Sequence, residues 1–340
     1  MKKLISIFVV VIMVFSLAAC GGGASAPAAD RQLKVGFAQI GSESDWRVGS
    51  TNSIRQACEE AGYELLFVDA NQQQNLQVQA LRDFITQGVD YIGFSPVVET
   101  GWDQVMKEIK DAGIPVIMLD RNIDMPNRDD FYESWIGANF VHEGERAATW
   151  LIEYLEHIGR ADENINIVEL QGTVGSSPAI DRKTGFENII NSKSNFTISQ
   201  SQTGDFTTEL GKEVMESFLT RAQADGVKID VLFAHNDGMA LGAIQAIREA
   251  GLKPGDDIIV IGIDAVKLAF EAIVAGDQNV TIECSPLLGP QFVESIQALE
   301  RGETLPKIIY SNYDDYDETL YAVFPDKYLK ASDYVDSRVY

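Results

Sequence analysis

Polar and aromatic side chains follow many of the predicted strands of this sequence, at the points where the strands end. They combine carboxylates, guanidinium groups, a hydroxyl, an amide and two aromatic rings, and they are Glu43, Ser44, Trp46, Arg47, Asp120, Arg121, Arg182, Phe206, Asn236 and Asp264. In open α/β sheets, ligands bind beyond the carboxyl ends of the strands. The sequence therefore predicts that these side chains meet in one binding site.

The chemistry of these side chains suits a ligand that carries many hydroxyl groups. Aspartate accepts hydrogen bonds from hydroxyls, arginine donates through a planar fork, and asparagine does both. Trp46 and Phe206 offer aromatic surfaces for the two apolar faces of a sugar ring. Pairing carboxylates with arginines also lowers the free-energy cost of burying either charge. We therefore expect the ligand to be a monosaccharide.

Several of these residues also have a purely structural interpretation. Asp120 and Asp264 could cap helices that follow their strands, and we expect Asp237 to be a helix cap rather than a ligand contact. Arg182 could lie on a solvated helix face, and Trp46 could pack in the core. Their shared location at strand ends favours the binding-site interpretation.

The elements that must position these side chains alternate between short apolar runs and amphipathic stretches. Helical spacing is clear from Leu76 to Gln87, and Gly88 marks the end of that helix. The predicted strands span residues 34–40, 63–69, 90–96, 115–120, 135–139, 164–172, 197–203, 230–235, 258–264 and 280–284. They are apolar almost throughout, which is typical of a parallel sheet covered by helices on both faces. The pattern predicts an α/β fold with two doubly wound lobes.

Motifs for nucleotide, hydrolytic and metal chemistry are missing from the sequence. The loop after the first predicted strand, Gly36–Gly41, lacks the GxGxxG spacing, and there is no GxxxxGK[ST], GxSxG or HExxH. Cys58 and Cys284 form no CxxC pair and have no histidine at metal-ligand spacing. We expect no cofactor, no metal site and no enzymatic activity, with Cys58 as a small buried side chain.

The charge of the chain excludes another class of partner. Among 340 residues there are 27 Lys+Arg and 51 Asp+Glu, which gives a formal net charge of −24. Nucleic acids are held by clusters of lysine and arginine, so they are not expected partners. A direct electrostatic attachment to an anionic membrane surface is excluded for the same reason.

Residues 1–19 have the pattern of an export signal. Lys2 and Lys3 precede a long, almost entirely apolar run, and the segment ends in Leu-Ala-Ala before Cys20. That ending resembles the bacterial lipoprotein box, which implies lipidation of Cys20. The glycine- and alanine-rich stretch at 20–32 then predicts a flexible tether to the membrane. The alternative is a secreted protein that is cleaved near Ala19, in which Cys20 has no role.

Longer motifs carry a resemblance to a known family. They read GSESDWR at 41–47, LDR at 119–121, ELQGTVGSSPAIDRKTGF at 169–186, SQTGDF at 201–206, AHNDGMALGAIQAI at 234–247 and GIDAV at 262–266. Over residues 33–310 the sequence resembles the periplasmic sugar-binding proteins of ABC transporters. It is more similar to the galactofuranose-binding type than to the ribose-binding type.

The resemblance implies ligand contacts at most of the strand-end residues. Asp120, Arg121, Arg182, Phe206, Asn236 and Asp264 match its ligand-contacting positions, and Trp46 matches an aromatic side chain that stacks on the sugar. Ser95 and Cys284 stand where the ribose-binding type has Asn and Gln, and Arg47 stands where it has a second aromatic residue. These departures favour a furanose hexose or a related sugar over ribose.

The resemblance also implies the organisation of the chain and its partners. It implies a periplasmic binding protein of type I, with lobes formed by 33–138 plus 285–312 and by 139–284 plus 313–340, and with three hinge crossings between them. We expect a monomer outside the cytoplasm, on the outer face of the cell membrane or in the periplasm. It would deliver its sugar to the permease of an ABC importer.

Two other functions use the same residues differently. A sugar sensor would hand the complex to a chemoreceptor or a histidine kinase, and the sequence does not separate it from a transport protein. A glycoside-processing enzyme would use a carboxylate pair drawn from Asp120, Asp264 and Glu43. The flanking arginines argue against the enzyme, because they favour ionised carboxylates whereas a general acid needs a raised pKa.

Overall fold

The computed structural model of the protein describes residues 31–311, 320–324 and 327–340. The strands are β1 (Lys34–Gln39), β2 (Glu64–Asp69), β3 (Tyr91–Phe94), β4 (Val116–Leu119), β5 (Ser134–Gly137), β6 (Ile165–Gln171), β7 (Phe196–Thr203), β8 (Val231–Ala234), β9 (Ile259–Asp264), β10 (Val280–Glu283), β11 (Ile308–Tyr310) and β12 (Leu320–Ala322). The helices are α1 (Asp45–Glu60), α2 (Gln74–Gln87), α3 (Asp103–Asp111), α4 (Phe140–His157), α5 (Ser177–Ile190), α6 (Thr208–Asp225), α7 (Asp237–Glu249), α8 (Lys267–Ala275) and α9 (Gly289–Glu300), and 3₁₀ turns span Arg128–Asp130 and Ala331–Asp333. Within these ranges no helix has both the length and the hydropathy to cross a membrane. The predicted signal segment, Cys20 and most of the predicted tether lie outside the described residues.

The strands form two sheets, and each sheet is the centre of one lobe. The strand order is β11-β5-β4-β3-β1-β2 in lobe 1 and β12-β10-β9-β8-β6-β7 in lobe 2. Strand pairing is parallel throughout the described residues except between β10 and β12, which are antiparallel. Helices pack in pairs against the sheets, α1 with α9 and α2 with α3 in lobe 1. The predicted α/β fold with two doubly wound lobes is confirmed.

All ten predicted strands are present, with ends that differ by one or two residues. Helix α2 ends before Gly88 as predicted, because Gly88 adopts the left-handed backbone conformation that closes a helix. Strands β11 and β12 are absent from the prediction. Both are three residues long, and the stretch between them is rich in acidic residues, so neither gives a periodic signal.

The chain passes between the sheets at three places. It leaves lobe 1 after β5, returns after β10, and passes from β11 to β12, which is the antiparallel edge strand of lobe 2. The third passage contains residues 312–319, which lie outside the described residues. The carboxyl ends of strands from both sheets contribute residues to one cavity between the lobes.

A close helix crossing in lobe 2 depends on two glycines. A Cβ atom at Gly144 of α4 would lie 2.1 Å from the main-chain oxygen of Arg182, and one at Gly185 of α5 would lie 1.9 Å from that of Val141. Both distances are far below van der Waals contact, so the backbones of α4 and α5 meet only because these side chains are absent. This crossing fixes the position of Arg182 on α5.

The buried carboxylate of Glu169 lies in the sheet beneath the same helix and forms an ion pair with Lys183. Glu169 of β6 and His235, just after β8, are both fully buried, and Nε2 of His235 lies 3.0 Å from Oε1 of Glu169. Lys183 Nζ donates to Glu169 Oε2 at 2.7 Å, and the Ser201 hydroxyl donates to the same oxygen. Burial opposes ionisation of Glu169, but these donors outweigh it and hold the pKa of the carboxyl below its usual range. Burial also lowers the pKa of His235, so the imidazole is neutral at pH 7 and donates through Nε2.

Gly185→Ala tests the helix crossing. We expect the free energy of unfolding to fall by about 1–3 kcal/mol, because the added methyl group forces the two helix backbones apart. Thr184→Ala is the matched control on the exposed face of α5 and should change stability by less than about 0.5 kcal/mol. Thermal or urea unfolding measures both variants, and equal stability of Gly185→Ala and wild type would contradict the crossing.

Glu169→Gln tests the buried ion pair through its pH dependence. A lowered pKa means that the ionised group stabilises the fold above its unfolded value, near 4.5, and that this contribution is lost as the pH falls through the folded value. The melting temperature of the variant should lie below that of the wild type at pH 7, and the difference should shrink towards pH 3. Glu187→Gln removes the half-exposed partner of the same Lys183 and should show a small difference. A Glu169→Gln difference that stays constant with pH would rule out the ion pair as its cause.

Candidate ligand-binding site

A small cavity lies between the two lobes at the carboxyl ends of their strands. Its lining residues are Glu43, Ser44, Trp46, Arg47, Asp120, Arg121, Pro178, Arg182, Phe206, Asn236, Asp264 and Cys284. The structure thus brings together every predicted ligand residue except Ser95, whose hydroxyl lies behind the cavity wall and donates to Asp120 Oδ2 at 3.2 Å. Pro178 was not predicted. An apolar residue in the first turn of a helix gives no signal for a polar site.

Arg47 is the centre of the polar network in lobe 1. Its Nε donates to Glu43 Oε1 at 3.0 Å and its Nη2 donates to Asp120 Oδ2 at 2.6 Å. The three side chains are at most 6% exposed. Burial disfavours the charged guanidinium, but the two carboxylates outweigh burial and raise the pKa of Arg47 above its usual value. Ser44 caps α1, because its Oγ accepts a hydrogen bond from the main-chain N–H of Arg47 at 3.2 Å.

Arg121 extends the network towards lobe 2. Its Nη1 donates to the main-chain oxygen of Val97 at 2.6 Å, and its guanidinium lies 5.2 Å from the ring centre of Phe206. Burial and the charge of Arg47 lower the pKa of Arg121 to about 10, so it stays charged at neutral pH. The preceding Asp120 has a φ of 60°, in the left-handed region, and its main-chain N–H donates to Ile136 at 2.7 Å. That geometry turns the chain at the strand end and points both side chains at the cleft.

Arg182 is the corresponding centre in lobe 2. Its Nε donates to Glu143 Oε2 at 2.8 Å, its Nη1 donates to the main-chain oxygen of His235 at 2.6 Å, and its Nη2 lies 3.6 Å from Asp264 Oδ1. It is buried, which overturns the alternative of a solvated helix face. Glu143 was missed by the sequence analysis, because one acid in the first turn of α4 looks like an ordinary helix start.

Asp264 departs from the expectation that arginines keep the site carboxylates ionised. Burial raises its pKa well above the usual value, and the opposite effect of Arg182 is smaller. The strand-end aspartates are also not helix caps. The residue that precedes α8 as its N-cap is Val266, and no helix among those described begins directly after Asp120.

Asn236, and not Asp237 as expected, is the residue that caps helix α7. Asn236 is the N-cap of α7, because its Oδ1 accepts from the main-chain N–H of Met239 at 3.0 Å, while its Nδ2 donates to the main-chain oxygen of Phe206 at 3.2 Å. Asp237, expected as a cap, is instead a fully buried hydrogen-bond acceptor. Asn236 thus lines the cavity and also positions Phe206.

Trp46 connects lobe 1 to the second crossing between the lobes. Its Nε1 donates to the main-chain oxygen of Cys284 at 2.5 Å, and the guanidinium of Arg47 lies 4.7 Å from its ring centre. Trp46 also packs in the main hydrophobic core cluster, so the same side chain belongs to the core and lines the cavity. Burial raises the pKa of the Cys284 side chain well above its usual value, so it is a neutral thiol in the cavity wall.

Three polar atoms around the cavity are buried without a hydrogen-bond partner. They are Oε2 of Glu43, Nη1 of Arg47 and Nε of Arg121. Buried polar atoms are normally paired, so unpaired ones at a cavity wall mark a place for ligand groups. One carboxylate acceptor beside two guanidinium donors matches ligand hydroxyls, which both donate and accept. Among the described residues no group of three or more His, Cys, Asp or Glu is placed to hold a metal ion.

Comparison with known proteins places this architecture in a family. A model described as a periplasmic binding protein domain matches residues 35–304. The chain is 45% identical over 276 residues to the galactofuranose-binding protein of Escherichia coli (strain K12), which covers 81% of this chain and 84% of that protein.

Solved structures share both the fold and much of the sequence. A Mycobacterium smegmatis protein in complex with β-D-fucofuranose has 48% identity and a TM-score of 0.78, over 82% of this chain and 90% of that chain. The binding-protein component of the arabinose ABC transporter from Shewanella sp. ANA-3, bound to α- and β-L-arabinofuranose, has 41% identity and a TM-score of 0.79, over 89% and 93%. The match to the family model extends over most of both lobes, and the chain belongs to the periplasmic binding protein domain family.

Proposed function

We propose that this protein captures a monosaccharide in the cavity between its lobes and delivers it to the permease of an ABC importer. The observation that carries the proposal is the set of buried, unpartnered atoms of Glu43, Arg47 and Arg121 at the cavity wall. The named relatives bind sugars, and one of them is a component of an ABC transporter. Trp46 and Phe206 add aromatic surfaces to the same cavity.

A furanose ring is the ligand form that we favour. The galactofuranose-binding relative and the two solved structures are named for furanose sugars. Arg47 supplies a further donor beside Asp120, which suits the additional hydroxyls of a furanose side chain. The Cys284 thiol offers little hydrogen bonding, so it fits an apolar part of the sugar.

Capture requires the two lobes to separate. The cavity offers about 20 Å³, room for about one water molecule, so a sugar fits only when the lobes move apart. Hydrogen bonds across the cleft hold the lobes together here. The main-chain N–H of Glu99 donates to the main-chain oxygen of Gly175 at 2.9 Å, and the main-chain N–H of Asn122 donates to the Ser177 hydroxyl at 2.9 Å. A sugar that contacts both lobes shifts the equilibrium towards closure without any covalent chemistry.

We propose lobe boundaries and moving parts that are those expected from the sequence. We propose that residues 33–138 with 285–312 move against residues 139–284 with 313–340, with the three passages between the sheets as the hinge. Both lobes of one chain line the cavity, so a second copy is not needed to form it, and we propose that the protein acts as a monomer.

We also propose that the protein is attached to the cell surface through a lipid on Cys20. The signal-like residues 1–19, the lipoprotein-type ending before Cys20 and the tether at 20–32 support export and lipidation of Cys20. A tethered binding protein stays close to the permease that receives its sugar.

Asp120→Asn tests the binding site. Asparagine tolerates the left-handed backbone of this position, but it lacks the charge that pairs with Arg47. We expect sugar affinity to fall by about 10- to 150-fold, the equivalent of one hydrogen bond to a charged group. Thermal shift identifies the sugar from solutions of arabinose, fucose, galactose, fructose and ribose, and calorimetric titration then measures the affinity.

Arg82→Gln is the control for that experiment. It breaks the exposed ion pair between Arg82 and Glu108 on the surface of lobe 1 and should leave affinity unchanged. Equal affinity of Asp120→Asn and wild type would refute the assignment of the site. If no sugar of the set changed the melting temperature of the wild type, the proposed ligand class would be wrong.

Cys20→Ser tests lipidation. Expressed in a bacterial host that receives labelled palmitate, the wild type should incorporate label and partition with membranes, and Cys20→Ser should do neither. Cys58→Ser removes a buried cysteine of the folded domain and should be labelled like the wild type. Label in Cys20→Ser, or its absence from the wild type, would exclude a lipid anchor at this position.

A further inference from the structure

The buried carboxyl of Asp237 lies directly behind the cavity wall of lobe 2. Three groups donate to it: Gln278 Nε2 to Oδ1 at 2.8 Å, the Thr281 hydroxyl to Oδ2 at 2.8 Å, and the main-chain N–H of Val266 to Oδ2 at 3.1 Å. Asp237 does not line the cavity and is absent from the binding function described above.

The partners of Asp237 belong to different segments that supply cavity residues. Val266 follows Asp264 by two positions, Thr281 precedes Cys284 by three, and Asp237 itself follows Asn236. The Thr281 hydroxyl also accepts from the main-chain N–H of Ala265 at 3.0 Å. One carboxyl and one hydroxyl thus join the ends of β8, β9 and β10 just behind the cavity.

The segment that these groups hold has an unusual backbone. Asp264 has a φ of 120° and Ala265 a φ of 57°, both in a range that side-chain-bearing residues rarely adopt. Such conformations persist where surrounding contacts fix them, and here the N–H groups of Ala265 and Val266 are both bound by the Asp237–Thr281 pair. The backbone around Gly262 makes room for this arrangement, since a Cβ atom there would lie 2.1 Å from Oδ1 of Asp237.

We propose that Asp237, acting through Thr281, is a positioning residue for ligand binding: it holds the turn at 264–266 so that the Asp264 carboxyl faces the sugar and Arg182. This inference rests on the proposed function, because the position of Asp264 matters only if the cavity binds a ligand. Asp237 contacts no ligand itself, and it acts on affinity through the backbone of the turn.

Thr281→Val and two Asp237 variants test the role. Thr281→Val is nearly isosteric and removes the hydroxyl that links Asp237 to Ala265, so it should weaken binding of the sugar identified for the wild type by about tenfold. Asp237→Ala should weaken it at least as much. Asp237→Asn should bind within about threefold of the wild type, because its oxygen can face Thr281 and Val266, and a half-turn of the Gln278 amide brings its unpartnered Oε1 round to accept from the new amide group.

Asn279→Ala is the matched control. Asn279 is also buried, next to β10, but it accepts from Val260 and donates to Gly255 at the opposite end of the strands. The Asn279→Ala substitution should lower the melting temperature and leave the affinity for the sugar unchanged. In an Asp264→Asn background, Thr281→Val should cause no further loss of affinity, because it acts on binding through Asp264. A general loss of stability would lower the affinity in that background as well.

The outcomes separate the two hypotheses. If the wild type bound no sugar, the proposed function would fail and this role with it. If the wild type bound sugar and folded Thr281→Val bound it equally well, or if Asn279→Ala weakened binding as much as Thr281→Val, only the positioning role of Asp237 would be overturned.

Discussion

Buried positive charge is the constraint on which the cavity depends. A guanidinium group removed from water is stable only when carboxylates or carbonyl oxygens surround it. Arg47 satisfies this condition within lobe 1 through Glu43 and Asp120, and Arg182 satisfies it within lobe 2 through Glu143 and the main chain of His235. Each lobe therefore presents a preformed, internally paired wall, which limits how much the side chains must reorganise when the lobes separate.

Backbone geometry at the strand ends gives these walls their shape. Asp120, Phe206 and Asp264 all have positive φ values although none is glycine. Each of these residues ends or follows a strand and carries a side chain into the cavity. Local strain at three such positions is sustained by the rigid sheets below them, and it turns the chain sharply enough for consecutive residues such as Asp120 and Arg121 to face one cleft.

Much of this arrangement is predictable from sequence, because apolar runs identify the strands and the residues after them identify the edge of the sheet. The two lobes and nearly the whole cavity lining follow from that rule. Partners that lie within helices, or that are apolar, do not follow from it. Glu143 sits in a helix, Pro178 is apolar, and the choice of Asn236 over Asp237 as the cap of α7 is decided by contacts with Thr281 and Gln278 that are distant in sequence. The raised pKa of Asp264 likewise reflects three-dimensional burial that no local pattern encodes.

The reactivity of the two cysteines of the folded lobes can report the separation of the lobes. Cys58 of α1 is enclosed in the core of lobe 1, whereas Cys284 packs in a core cluster and also lines the cavity where the lobes meet. Thiol reagents attack accessible thiolates, so both side chains are protected in the closed form. Separation of the lobes opens the cavity side of Cys284 to a reagent, while Cys58 would react only after unfolding of its lobe. The alkylation rate of Cys284 relative to Cys58 would then report how often the empty protein opens, without any dye or added label on the sugar.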